Sequence, residues 1–240
     1  MAKLTIAILQ HNLFNLTKQA LDSLRGAYRP DYEVIVVDNG SNAENQALLR
    51  AHQSPFPIKK IFLDHNKGTA GGWNAAFEAA SSPFIYCLHN DAIVRDPEMF
   101  EKLYGDFQQY DHVGAVAACT DEVFTRMQRC ARPELLPNDV ISVSKMDNVS
   151  CMFSKACWQE CGKFDENYLY GNYEDTDFYM KARSLNWQLI IDRRVWIEHL
   201  CSQTFSAYRF SSALERNRQL FLSKWGEYPE EKIYKTLSPS

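Results

Sequence analysis

Pro83-Phe84-Ile85-Tyr86-Cys87-Leu88-His89-Asn90-Asp91-Ala92-Ile93-Val94 is the stretch around which the chain is organised. Phe84 to Leu88 is a continuous apolar run, the pattern of a strand buried on both faces. It breaks into His89-Asn90-Asp91 and turns apolar again at Ile93 and Val94. Polar groups at the carboxyl end of a buried strand sit where open α/β sheets bind their ligands. The same three residues are also ordinary turn chemistry. Alone, the cluster supports either a divalent-cation site or a bend.

Three earlier segments repeat the pattern. Leu4 to Leu9, Glu33 to Val37 and Ile58 to Leu63 read as strands. They end in Gln10-His11-Asn12, Asp38-Asn39-Gly40-Ser41-Asn42 and Asp64-His65-Asn66-Lys67-Gly68. A helix capped by Asn15 or Thr17, with Leu16, Ala20, Leu21 and Leu24 on one face, is expected after the first. A second helix is expected around Glu44 to Ala51, and a third after Gly71-Gly72, bearing Trp73, Ala76, Phe77 and Ala80. Beyond the fourth strand, Asp96-Pro97-Glu98 supplies the cap and first turn of a helix with Phe100, Leu103 and Phe107 at helical spacing. Four strand–helix alternations predict an α/β fold, a doubly wound and mostly parallel sheet with helices on both faces.

The second half is less regular. Val113 to Ala118 reads as a strand, and Glu122 to Asn138, with three arginines and two prolines, as a surface excursion. Asp147 to Phe153 reads as a strand, followed by a short helix through Trp158 capped by Ser154. Gly162 to Asn172 is an aromatic loop, and Glu174 to Leu185 a helix with Phe178, Ala182 and Leu185 inward. Trp187 to Asp192 is a strand, Trp196 to Leu200 a short extended piece, and Ser211 to Trp225 a helix. The end around Pro239 is expected to fray. With no repeat, low-complexity tract or linker, a single domain is the economical reading.

Composition sets the outer limits. Hydrophobic residues make up 45% and charged residues 23%, as in ordinary soluble proteins. A net charge of -4 lacks the basic excess of a nucleic-acid binder. Seven cysteines without a CxxC pair predict core thiols and a cytosolic chain rather than a disulfide framework. Met1-Ala2-Lys3 runs straight into a strand, so no leader is expected, and no apolar run nears the roughly 18 residues of a membrane span.

Each polar cluster has a plain structural reading beside a functional one. Asp38 either accepts hydrogen bonds from a ribose or nucleobase, as acids at such strand ends do, or starts a turn. Asn66-Lys67-Gly68-Thr69-Ala70-Gly71-Gly72-Trp73-Asn74 is neither a P-loop nor GxGxxG. Its glycines permit close backbone approach to a ligand, with Lys67 answering a phosphate, or simply a tightly packed helix start. Glu174, Asp175 and Asp177 crowd one helix N-terminus, where the dipole favours acids. Three exceed what capping needs, and one facing a cavity would serve as a general base. His199, seen alone, is an ordinary histidine.

The order of these segments carries a resemblance. D-N-G-S, then N-x-G-x-x-G-G-x-N, a strand ending in x-N-D, G-K-F-D-E-N-Y before Y-E-D-T-D-F, and a later His resemble the family 2 glycosyltransferases of GT-A fold. The likeness runs from about Leu4 to about Trp225 and is greatest to the rhamnosyltransferase-like branch that builds bacterial surface polysaccharides. It implies that Asp38 contacts the nucleoside, with Gln10 to Asn12 against the same base and ribose, and Asn66, Gly68 and Gly72 beside the nucleotide. It implies that His89-Asn90-Asp91 stands in the place of the D-x-D motif that holds Mn2+ or Mg2+ against the donor diphosphate. His199 matches a later histidine of the metal shell, and Asp175, with Glu174 beside it, the catalytic base. Arg216-Asn217 resembles a tail motif without an assigned role.

The resemblance further implies an inverting transferase using a UDP- or dTDP-sugar and a saccharide or lipid-linked acceptor. Residues 1–118 would form the nucleotide-binding half, 119–225 the acceptor-binding half and 226–240 a tail. Membrane contact would be peripheral at most, at the inner face. Two departures stand out. His89 replaces the first Asp of D-x-D: either it ligates, and a nitrogen suits Mn2+ better than Mg2+, or it stands outside a shell completed by Asp91, His199, phosphate oxygens and water. Asn186-Trp187 replaces Gly-Trp, which Asn tolerates in the left-handed conformation. The alternatives are a catalytically weak nucleotide-sugar-binding relative and, further off, a sugar-1-phosphate nucleotidyltransferase, which would want a basic, glycine-rich loop where this chain has Gln10-His11-Asn12.

Overall fold

Alternate residues of β1 (Leu4–Gln10) go to opposite sides of the sheet, and both sides are covered. Ile6 and Ile8 join a core with Phe14, Leu21, Leu49, Phe100 and Leu103 of three helices, α1 (Phe14–Ser23), α2 (Ala43–Ala51) and α4 (Met99–Gln109). Ala7 joins a second core with Trp73 and Phe77 of α3 (Gly68–Ala79), Trp158 of α5 (Lys155–Glu160) and Phe178 of α6 (Glu174–Ser184). Val34 and Val36 against Ile35 and Val37 divide likewise in β2 (Tyr32–Asp38), as do Tyr86 and Leu88 against Ile85 and Cys87 in β4 (Phe84–His89). Two-sided burial is why these strands read as unbroken apolar runs.

The computed structural model describes residues 2–200 and 211–237. With β3 (Lys59–Phe62), the first four long strands are parallel in the order β3-β2-β1-β4. The remaining strands are β5 (Ala92–Ile93), β6 (Val113–Thr120), β7 (Val140–Val143), β8 (Ser150–Ser154), β9 (Gln188–His199) and β10 (Ile233–Leu237). They extend the sheet as β4-β8-β6-β9-β7-β10, with β8 antiparallel to both neighbours and β5 paired to the end of β9. The helix α7 (Ser211–Trp225) precedes β10. This is one α/β domain on a mixed, mostly parallel sheet.

Several expectations change in detail. Neither Asn15 nor Thr17 caps α1: Asn12 and Leu13 turn through positive φ, and Asn45 of α2 accepts the Phe14 N–H at 2.9 Å. Trp187–Asp192 and Trp196–Leu200 belong to one strand, β9, whose register slips between Asp192 and Trp196. There Arg194 folds back onto Asp192 at 2.8 and 2.9 Å, which is why the pattern breaks at that point. Leu185 is 37% exposed, because the helix ends there and Asn186 takes φ 65°. The short strands β7 and β10 went unread, the second because four of its five residues are exposed at the sheet edge. Ser154 does cap α5, accepting from Cys157 N. The expected fraying around Pro239 lies outside the described residues. Six cysteines are buried free thiols, and among the described residues no helix is long and apolar enough to cross a membrane.

The turn after β2 is locked by contact rather than by turn chemistry alone. Gly40 has φ 68°, and a Cβ there would lie 2.2 Å from the His65 carbonyl carbon and 2.5 Å from Asn66 N. Gly40→Ala is expected to cost at least about 2 kcal/mol in urea unfolding, from left-handed strain plus a backbone clash. A loss under about 0.5 kcal/mol would mean the two loops move apart freely.

Candidate active site

The strand β4 ends at His89, and the chain turns within two residues into β5. Ala92 pairs with His199 and Ile93 with Glu198, antiparallel, and Leu200 N donates to Asp91 O at 2.8 Å. This short ladder sets His199, which lies far along the chain, against Asp91. The His199 Nε2 lies 3.4 Å from Asp91 Oδ1. Its Nδ1 is 2.8 Å from the Glu122 carbonyl, an acceptor only, so Nδ1 carries a hydrogen and Nε2 is the ring nitrogen turned to Asp91. Asp121 Oδ1 accepts the His199 backbone N–H at 2.9 Å. One ligand-type atom each from His89, Asp91 and His199 lies within 4.8 Å of the others.

The electrostatics suit a cation. Burial pushes the His89 imidazole down to about 4, against the pull of the Asp91 carboxylate, so the ring is neutral near pH 7. Burial works the same way on His199, but its hydrogen bond to Asp91 and that residue's charge outweigh it and hold its pKa above the ordinary value. Two imidazoles and a carboxylate, with the outer nitrogen of one tied to a carbonyl, are a donor set that can hold a divalent cation. Asn90 between them is buried, its amide nitrogen without a partner among the described residues.

A second group of polar residues lies at the carboxyl ends of β1 and β2, beginning one strand away. Gln10 and Asp38 are register partners and fully buried. Asp38 Oδ2 accepts from Gln10 Nε2 at 2.7 Å, and Oδ1 from Ser41 N at 3.0 Å and Gln46 Nε2 at 3.1 Å. The turn expected of Asp38 is thus present. Asn12 stands beside it, bonded to Ser41 and Asn42. Asn39 and Asn66 lock the next loop: Asn39 Nδ2 reaches Asn66 Oδ1 at 3.1 Å and Gly68 O at 2.9 Å, and Asn66 Oδ1 accepts from Gly68 N at 2.8 Å. The glycines serve packing here. A Cβ on Gly72 would lie 2.3 Å from Leu9 Cδ1, and one on Gly68 would lie 3.0 Å from Tyr170 N. Lys67 is exposed at the start of α3.

The acids of α6 divide by environment. Asp177 is fully buried and purely structural, receiving Lys181, Lys224, the Trp225 Nε1–H and the Tyr168 hydroxyl. Glu174 is buried too. Asp175 is half-buried and faces the loop before β8, where its Oδ2 accepts the Asn148 N–H at 3.3 Å. Its Oδ1 accepts from Thr176 N at 2.6 Å. Burial, then the charge of Asp147, push the Asp175 carboxyl above the usual range. Glu174 is pushed the same way by burial and by Asp175.

Asn148 joins the two ends of the site. Its N–H meets Asp175, while its backbone faces the His89 ring. Asp147, Asn148, Asp121 and the Glu122 carbonyl all went unread in the sequence. Asp147-Asn148 reads as the start of a strand, whereas β8 begins only at Ser150. A backbone carbonyl leaves no trace in residue type at all.

The sheet has the fold of solved GT-A glycosyltransferases, with ligand-type groups at the carboxyl ends of β4 and β9. A mannosyltransferase of Pyrobaculum calidifontis, solved in complex with GDP-Man and Mn2+, is similar over 95% of this chain and 66% of its own, with TM-score 0.70 at 18% identity. GalNAc-T7, solved with UDP, GalNAc and Mn2+, is similar over 95% of this chain and 49% of its own, with TM-score 0.73 at 12% identity. Residues 5–167 match the model of Glycosyl transferase family 2, more than half the chain, and the protein belongs to that family. An uncharacterized glycosyltransferase of Nostoc sp. is 28% identical over 116 residues, 48% of this chain and 35% of the relative. Poly-beta-1,6-N-acetyl-D-glucosamine synthase of Staphylococcus epidermidis is 21% identical over 193 residues, 75% of this chain and 43% of the relative. The chain therefore spans less than half the length of these two curated relatives.

Asp38 is the buried acceptor on which the β1 and β2 ends converge. Asp38→Ala leaves the Gln10 amide, the Ser41 N–H and the Gln46 amide without it, and is expected to lower stability by more than about 2 kcal/mol. Chemical denaturation checks this, and a loss below about 0.5 kcal/mol would contradict it.

Proposed function

We propose that the chain is a metal-dependent, inverting glycosyltransferase. It moves a sugar from a UDP- or dTDP-linked donor to a hydroxyl of a saccharide or lipid-linked acceptor, in the synthesis of bacterial surface polysaccharide such as lipopolysaccharide. The observation that carries this reading is the convergence of His89, Asp91 and His199 within 4.8 Å, with Asp175 reached from His89 through the single residue Asn148. The names of relatives support the polysaccharide setting: the synthase above and a teichoic acid poly(glycerol phosphate) polymerase of Staphylococcus epidermidis. Residues 1–118 take the donor, 119–225 the acceptor, and the tail braces the second half. The reaction belongs on the cytoplasmic side, with peripheral contact at the inner membrane face at most.

His89, Asp91 and His199 would hold Mn2+ or Mg2+, and the bound ion supplies positive charge to the departing diphosphate. Gln10, Asn12, Asp38, Asn66, Gly68 and Gly72 shape the nucleoside side, by hydrogen bonds and by close backbone approach, and Asn90 borders the diphosphate. Asp175 takes the proton of the acceptor hydroxyl as that oxygen bonds to the anomeric carbon. The carbon–oxygen bond to the nucleotide breaks on the opposite face, so configuration inverts. A base works best with a pKa near the working pH, and burial plus the Asp147 charge move Asp175 that way. Glu174, the buried acid beside it at the helix start, is itself pushed up by burial and by the Asp175 charge, and stands as the second acid of the catalytic pair. The acceptor sugar lies along the exposed rings and side chains of the 168–173 loop, where Leu169 and Tyr170 reach solvent.

The test measures nucleotide release that depends on acceptor. Asp175→Asn is expected to keep donor binding and lose transfer by at least about 100-fold. Turnover near wild type in the folded variant would remove Asp175 from the role. Asp175 acts ionised, and its pKa is raised, so the rate falls as pH drops through a value above the ~4 of an ordinary carboxylate. Asp147→Asn, which removes the neighbouring charge, should move that acid limb to lower pH. A limb unmoved in this variant would show that another group titrates.

A further inference from the structure

Arg216-Asn217 is a sequence motif without an assigned role, and α7 places it against the loop that precedes α6. Asn217 is fully buried. Its Oδ1 accepts the Leu169 N–H at 2.9 Å, and its Nδ2 donates to the carbonyls of Leu169 at 2.9 Å, Gly171 at 2.8 Å and Asn172 at 3.3 Å. One side-chain amide thus meets backbone groups at both ends of a single short loop. The loop it holds is strained: Tyr170, Gly171, Asn172 and Tyr173 all have positive φ, at 62°, 145°, 70° and 73°. Three of these are not glycine, a run that persists only where surrounding contacts over-determine it.

That loop touches both sides of the site. Tyr170 O accepts from Thr69 N at 3.2 Å and Thr69 Oγ1 at 2.6 Å, docking it on the start of α3. At its other end Tyr173 O accepts the Asp177 N–H at 2.8 Å and so opens the helix that carries Glu174 and Asp175. The Tyr173 ring packs on Phe221, one turn along α7 from Asn217, with centroids 5.5 Å apart.

We infer that Asn217 is a positioning residue for sugar transfer: its amide holds residues 169–172 in the left-handed path that aims Asp175 and seats the loop against the donor-side helix α3. The inference rests on Asp175 being the base. Among the described residues, no other side chain in this loop's contacts gives both a donor and an acceptor to its backbone. Asn217→Asp keeps the shape and the acceptor for Leu169 but sets an oxygen against three carbonyls. Asn217→Ala removes both functions.

The experiment compares wild type, Asn217→Asp, Asn217→Ala and, as a control on the exposed face of the same helix, Arg218→Ala. Amide hydrogen exchange is read at Thr69 and Gly171, whose acceptors lie in the loop, and at β1 and β4. Both Asn217 variants are expected to exchange at least about 10-fold faster at Thr69 and Gly171, with β1 and β4 unchanged. Steady-state kinetics should give a donor KM within about 3-fold of wild type and a kcat lowered roughly 30–100-fold, the cost of a misaimed base. Arg218→Ala should match wild type in both. Loop exchange unchanged in both variants, or kcat within about 3-fold of wild type while the loop opens, overturns the inference. So does global unfolding of both variants, which would make Asn217 a scaffold residue. A wild-type protein that transfers no sugar from any donor sinks the proposed function and the Asp175 part of this inference with it, and the exchange data then report separately on whether Asn217 holds the loop.

Discussion

Two residue pairs, Ala92 with His199 and Ile93 with Glu198, bring the site's distant parts together. Everything before β5 builds a parallel sheet whose carboxyl ends carry polar side chains, and everything after β6 returns through an irregular path. Without this short ladder, Asp91 ends one half and His199 ends the other. With it, the Nε2 of His199 faces Asp91 and the Glu122 carbonyl sets the tautomer. The apolar residues Ile93, Val94 and Ile197 bury the joint, and so hydrophobic burial holds a polar site in place.

The same economy appears in the buried charges. Asp177 sits wholly inside, yet lysines, an indole and a phenol surround it, and its pKa falls below the usual value despite the cost of burial. Asp106 and Asp192 share Arg194 at the slip in β9, a buried cluster with more acid than base, and burial pushes Asp106 up. Asp175 stands between these cases. It is half-buried, has backbone donors and an acidic neighbour, and lacks a cation in its immediate hydrogen-bond set among the described residues. That combination separates Asp175 from Asp177, whose charge is fully paired and braces the helix.

The first half of the fold was legible because both faces of its strands are buried, which leaves runs such as Phe84 to Leu88 with no polar interruption. The second half was not, because its strands are short or exposed. β7 is four residues, β10 lies at the edge, and β9 is broken in pattern by Arg193 and Arg194, which pair with Asp139 and with Asp106 and Asp192 at the slip. Among site groups, Asp38, Asp91 and Asp175 were visible as acids at element ends. His199 was visible only through the resemblance, since its partner Asp91 is distant in sequence and the ladder between them is two residue pairs long. Asn148 and the Glu122 carbonyl act through backbone atoms and had no residue-type signal to give. Of the four positive-φ residues before α6, Gly171 and Asn172 carry ordinary turn chemistry, whereas Tyr170 and Tyr173 give no such signal and are held in place by the Asn217 hydrogen bonds nearby.

In the proposed function, His89, Asp91 and His199 form, with the β1–β3 strand ends, one site for a metal and a nucleoside diphosphate. Melting temperatures measured with UDP, dTDP, GDP and CDP, each with and without Mn2+, test it most directly, because a ligand of the native state raises the midpoint by mass action. The account predicts a Mn2+-dependent rise with UDP or dTDP that disappears in Asp91→Asn. No rise with any diphosphate in the presence of Mn2+, or a rise of equal size in Asp91→Asn, would contradict it.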